Sequence, residues 1–103
     1  MSPAQPIESS IQPPISNNWY LVSVRSKKRE LFLKYLKLAI TKNQLEELIL
    51  EIRTPPDSVY EDIILLNLSN FKTASTHLQK IEYFLSIERK PLPLEQVTRI
   101  LGS

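Results

Sequence analysis

The chain offers little reactive chemistry. Of its 103 residues one is histidine, His77, and none is cysteine. Thiol nucleophiles, thiolate metal sites and disulfides are therefore excluded. General acid–base work needs titratable groups held within hydrogen-bond reach of one substrate proton. The adjacent acids Glu46 and Glu47 fall in a turn-like stretch with no second carboxylate cluster placed to help them, and read as a solvated acidic face. His77 lies in a helical pattern, where an isolated histidine is far more often a surface or hydrogen-bonded residue than a base. The one glycine, Gly102, rules out a glycine-rich loop cradling a phosphate with backbone N–H groups. No metal, no cofactor and no enzymatic activity is expected.

What remains is charge and apolar surface. Between Arg25 and Lys42 stand seven basic residues and one acid, a local net of +6; between Asn43 and Asp62 stand six acids and one base, a local net of −5. The overall charge is only +2, too small to argue for nucleic acid by itself, so the asymmetry reads as a dipolar surface. Within the basic stretch, Arg25, Lys27, Lys28 and Arg29 are the candidates for weak, non-specific phosphate contact, since basic side chains supply most of such affinity. Lys34 and Lys37 alternate with apolar residues and are better placed to run their stems along a helix surface.

The elements that must carry these groups are readable in order. Residues 1–17 hold four of the eight prolines, with Ile7, Ile11 and Ile15 as the apolar residues. That composition cannot bury a core and predicts a flexible leader. Residues 18–103 form one domain, ordinary at 42% apolar and 23% charged. Trp19 to Val24, rich in aromatic and β-branched residues, predicts a buried strand. Ser26 is placed to cap a helix whose apolar stripe is Leu31, Phe32, Tyr35, Leu36 and Ala39. Leu38 and Ile40 widen the stripe, so the helix is expected to be covered on more than one side. A turn at Asn43–Leu48 leads to a strand at Ile49–Arg53, stopped by Pro55-Pro56. Asp62 to Leu68 is apolar on both faces and predicts a central strand covered on both sides. Ser69 or Asn70 caps a second helix with Phe71, Ala74 and Leu78 on one face. Tyr83 to Ile87 is a fourth strand, and Leu94, Val97, Ile100 and Leu101 stripe a terminal helix closed by Gly102. The order is β-α-β-β-α-β-α. It predicts an α+β, ferredoxin-like antiparallel sheet with the first and third strands in the middle and a short extra C-terminal helix. Two helices would cover one face, leaving the other for the terminal helix, the leader or a partner. No apolar run is long enough to span a membrane and no signal peptide is visible; a cytoplasmic monomer is expected.

Five local sequences in this order resemble the N-terminal (NGN) domain of the NusG transcription elongation factors. They are Trp19-Tyr20-Leu21-Val22, the Leu45-Glu46-Glu47-Leu48 turn with its strand ending at Pro55, His77-Leu78, Tyr83-Phe84-Leu85, and Pro91-Leu92-Pro93 followed by Val97-Thr98-Arg99-Ile100-Leu101. The resemblance covers residues 19–101. The family's basic loop and Phe-Pro-Gly-Tyr element are missing, the connection here being Asp57 to Glu61, and the sequence stops at Ser103 without the KOW domain of full-length relatives. The resemblance implies a non-catalytic module for transcription elongation or antitermination that binds the clamp helices of RNA polymerase. Matched by position, its apolar contact residues are Tyr20, Ile64, Leu66, Phe84 and Leu92. The competing expectation is that all five fill the core; another is an adaptor that kept the fold and lost polymerase binding. Strand alternation allows only one of Tyr83 and Phe84 to face outward, and Phe84 is assigned there. RNA-recognition motifs share the element order, but they stack bases on aromatics of the first and third strands. Ile63 to Leu68 has no aromatic residue, so base stacking is not expected.

Overall fold

The computed structural model describes residues 18–102; the expected leader at 1–17 lies outside them. The elements are β1 (Trp19–Val24), α1 (Arg29–Asn43), β2 (Ile49–Arg53), a 3-10 turn (Ser58–Tyr60), β3 (Ile63–Leu68), α2 (Phe71–Leu78), β4 (Phe84–Ile87) and α3 (Leu94–Leu101). The fold is α+β, with three helices and one four-stranded antiparallel sheet ordered β2-β3-β1-β4. β1 and β3 are central and pair in simple register, Trp19 opposite Asn67 through Ser23 opposite Ile63.

Alternation divides each central strand between two cores. Tyr20, Val22 and Val24 of β1 and Ile64, Leu66 and Leu68 of β3 point to one face, where they meet Phe32 and Leu36 of α1 and Ala74 and Leu78 of α2. Trp19 and Leu65 point to the other, where they meet Leu92 and then Val97 and Ile100 of α3. The continuous apolar run of β3 thus has a packing reason on each side, and the terminal helix is what covers the second face. Fully burying a leucine contributes about 1.5–3 kcal/mol, so leaving Leu65 and Trp19 under water would be costly for a domain this small.

Local signals account for most of the boundaries. Asn70 Oδ1 accepts from Thr73 N–H at 3.0 Å to cap α2. Asp57 Oδ1 accepts from Val59 N–H at 2.9 Å to start the 3-10 turn. Gly102 closes α3 at φ 77°, its N–H donating to Arg99 and Thr98 carbonyls. Ser26 does not cap α1. The helix begins at Arg29 after Lys28, with no side-chain cap. Its preceding turn is instead held by Asp62, whose Oδ1 accepts from Lys27 N–H at 3.1 Å while Lys27 sits at φ 63°. Among the described residues nothing covers α1 on the expected second side: Leu38 is 57% exposed, and Ile40 instead packs at the edge of the first core.

Candidate partner-binding surfaces

The two halves of the predicted interaction surface are placed very differently by this architecture. Tyr20, Ile64 and Leu66 are on the helix-covered face of the sheet and are buried; the Tyr20 ring packs on Phe71 of α2 with centroids 5.0 Å apart. Leu92 is buried on the opposite face, under α3. These four therefore do not form a free apolar patch, and they do not share a face. The reason is arithmetic: a sheet covered on both sides by helices consumes the large residues of its two central strands as core.

Phe84 is the exception, being only half-buried, but it is not turned outward as alternation predicted. Its ring lies 6.5 Å from that of Phe32, on the α1 and α2 side. Tyr83 points to the same side, stacked on Tyr35 of α1 at 6.1 Å with Lys28 Nζ 5.6 Å from its ring centroid. Both neighbours can face α1 because Tyr83 is not in the strand. It adopts φ 77°, which breaks the two-residue alternation. Its carbonyl still accepts from Arg25 N–H at 2.9 Å, so it anchors the start of β4 against the end of β1.

The basic cluster is likewise divided among tasks. Arg29 Nη1 lies 3.3, 3.1 and 3.3 Å from the carbonyl oxygens of Pro55, Tyr60 and Ile63. That guanidinium ties the start of α1 to the β2–β3 connection. Lys28 covers the Tyr83 ring. Lys27 and Arg29 border a shallow depression together with Glu30, Glu61 and Asp62, so carboxylates stand beside the basic groups. Arg25 is exposed. A phosphate approaching this turn would meet a mixed surface and not a uniformly positive one.

A surface that the sequence reading did not single out lies between α2 and β4. Phe71, Ser75 and Gln79 of or next to α2 face Phe84, Leu85 and Ile87 of β4 across an open groove, with Lys72 and Arg89 also on its border. Leu85 is 51% exposed there. Of the other exposed large apolar residues, Leu31 and Leu38 both lie on α1, while Leu50 of β2, Val59 of the 3-10 turn and Leu94 of α3 stand one to an element, and scattered apolar exposure of this kind is ordinary for a protein surface. Leu85 is different, because half-buried Phe71, Phe84 and Ile87 extend it into a continuous apolar strip. β4 is moreover an edge strand, paired to β1 on one side and with no partner strand on the other among the described residues. The signal available in the sequence was Leu85 itself. It sits at the register shift near Ser23 and Val24, where two residues of β4 oppose one step of β1.

No family model matches the chain, and no curated protein does. Among the described residues there is also no group of three or more His, Cys, Asp or Glu side chains able to hold a metal ion. His77 is half-buried on α2, and Glu46 and Glu47 are exposed in the turn before β2. No helix among the described residues is long and apolar enough to cross a membrane.

Proposed function

We propose that the chain is a non-catalytic, cytoplasmic binding module of the NusG N-terminal type, acting in transcription by docking on RNA polymerase, and that its sheet is the ferredoxin-like one. The observation supporting this best is the order β2-β3-β1-β4 closed by α3. The helix that covers the second sheet face is built from Val97, Ile100 and Leu101, the same stretch that resembles the family's closing segment. With Tyr20, Ile64, Leu66 and Leu92 buried in the two cores, the contact falls to the strip around Leu85 and Phe84. Protein–protein interfaces take most of their energy from a few desolvated anchors.

The alternative reading is an adaptor that retains the fold and binds another protein. The burial of the four matched residues favours it, since it leaves little of the resemblance's contact surface accessible. Affinity purification of the tagged, intact protein separates the two. Polymerase subunits retained by the wild-type chain and lost from Leu85→Glu support docking through the groove. Retention of a different protein, lost in the same variant, supports the adaptor. Any contact through Arg25, Lys27 and Lys28 to RNA would instead weaken steeply with added salt.

A further inference from the structure

The groove between α2 and β4 fits one kind of occupant. We propose that it takes an extended, acidic segment of a partner protein. That segment pairs with the outer edge of β4 at Ile87, lays alternate apolar side chains against Phe71, Phe84 and Leu85, and places aspartate or glutamate side chains between Lys72 and Arg89. The proposal rests on the groove being the docking surface, and adds the chemistry of what docks there.

The groove's charge is one-sided. Its only charged lining residues are Lys72 and Arg89. Both are exposed, and neither joins an ion pair among the described residues. α2 holds no acid. Of the acids flanking β4, Glu82 borders a separate depression beside Tyr35 and Lys42 of α1. Glu88 N–H donates to the Leu21 carbonyl, and strand alternation turns its side chain, with that of Leu21, toward the α3 face. A positive border with no acid of its own selects an anionic guest and repels a basic one.

The two cations also share one end of the groove. The Tyr20 ring, near the start of β1, packs on Phe71 at the start of α2 with centroids 5.0 Å apart. Ile87, at the end of β4, lies opposite Val22 of the same strand. The start of α2 and the end of β4 are therefore side by side, which brings Lys72 and Arg89 to the same end. Gln79 and Phe84 mark the other, uncharged end. An occupant with its acids grouped to one side of an apolar stretch matches this layout.

The backbone supplies the third argument. Glu88 N–H pairs with Leu21 and Ile87 lies opposite Val22, so antiparallel alternation points the N–H and C=O of Ile87 away from β1. β4 has no second neighbouring strand among the described residues. Nearer Phe84 the ladder is interrupted by the register shift, and a bulge re-aims side chains; Leu85 stands 51% exposed there. Backbone pairing thus belongs to the cationic end and apolar contact to the other. Adding a strand at a sheet edge draws affinity from main-chain bonds and selectivity from alternate side chains. A nucleic acid strand fits less well. It has no peptide ladder for the Ile87 edge, and the Phe71 and Phe84 rings are half-buried and already packed on Tyr20 and Phe32.

The test begins with a displayed library of short random peptides selected against the full-length protein, with Leu85→Glu for counter-selection. The expected enriched sequences alternate apolar residues and carry aspartate or glutamate to one side of them. A synthetic peptide of that kind should shift the amide signals of α2 and β4 and leave those of β2 in place. Lys72→Gln and Arg89→Gln should each weaken it by up to about fivefold, the range of exposed ion pairs, and Lys72→Glu with Arg89→Glu should turn the preference to basic peptides. N-methyl groups on alternate peptide amides should abolish binding in one register only. Enrichment of neutral or basic sequences, no enrichment over Leu85→Glu, shifts centred on another surface, or equal tolerance of both N-methyl registers overturns the proposal. So do three other results, each of which assigns the groove elsewhere. β4 signals that depend on protein concentration before peptide is added mean a second copy. A response of residues 1–17 to Leu85→Glu means the chain's own N-terminal stretch. Stronger shifts from oligouridine than from the peptide mean RNA. No polymerase is present, so a failed selection refutes the acidic-peptide chemistry, whereas a failed polymerase purification refutes polymerase docking.

Discussion

Arg29 gives the sharpest test of how the basic turn is used. Its Nη1 carries two hydrogens and lies within 3.1–3.3 Å of three carbonyl oxygens, those of Pro55, Tyr60 and Ile63. At most two of these bonds are directly made at once, the third sharing a hydrogen. A hydrogen bond from a charged donor contributes about 1.5–3 kcal/mol, and carbonyls stripped of their donor keep their desolvation cost where they are buried. The site is only partly buried, so water recovers some of the loss, and Arg29→Met is expected to destabilise by about 2–3 kcal/mol. An arginine at the first position of α1 is also unfavourable to the helix dipole by some tenths of a kcal/mol, which the methionine relieves and which slightly reduces the total. For a domain near this size about 1 kcal/mol shifts Tm by 4–8 °C, so a fall of roughly 10 °C should be seen. Urea unfolding of Arg29→Met, Arg29→Lys and Arg25→Met would give the comparison. Arg29→Lys should recover only part of the loss, because an ammonium cannot present a planar fork. Arg25→Met should stay within about 0.5 kcal/mol, as an exposed substitution does. Equal, small effects for Arg25 and Arg29 would refute the structural role and return Arg29 to the surface charge.

Phe84→Ala should cost about 2 kcal/mol, less than the 3–5 kcal/mol of a fully buried phenylalanine, and more than Tyr83→Ala, whose ring stacks at the rim on Tyr35; thermal melts showing the reverse order would place Phe84 outside the core. Asn67 is buried on the α3 face of β3 with its Oδ1 unpaired among the described residues, so Asn67→Leu should leave stability unchanged or raise it by about 1 kcal/mol, since an unpaired buried acceptor costs about that much or more; a drop in urea midpoint would mean that the amide has a partner in solution.

The sequence was most informative where one residue type has one job. Asn70, one of the two caps the sequence offers for α2, Gly102 as a helix end and the two-faced apolar run of β3 all lie where periodicity and capping chemistry place them. It was least informative about direction. Whether Phe84 faces in or out depends on the φ of Tyr83, and tyrosine carries no left-handed preference that would betray it. Tyr20, Ile64 and Leu66 illustrate a second limit. An apolar residue in a central strand looks the same in sequence whether a helix of the same chain or another protein covers it. The Arg29 contacts join residues 26 to 34 positions apart, a separation at which local pattern carries no information, so a basic cluster was all that could be read.

The two-sided sheet also sets an order of events during synthesis. β1 is made first, yet its neighbours in the sheet are β3 and β4, so it stays unpaired until residue 68 has left the ribosome. A βαβ-like stretch through α2 can then close the first core, but Trp19 and Leu65 stay bare until Val97 and Ile100 emerge. Chains translate at about 5–20 residues per second, so this apolar face is open for a second or more on each nascent chain. It is the interval in which a chaperone, or a neighbouring chain, has its best access to the protein.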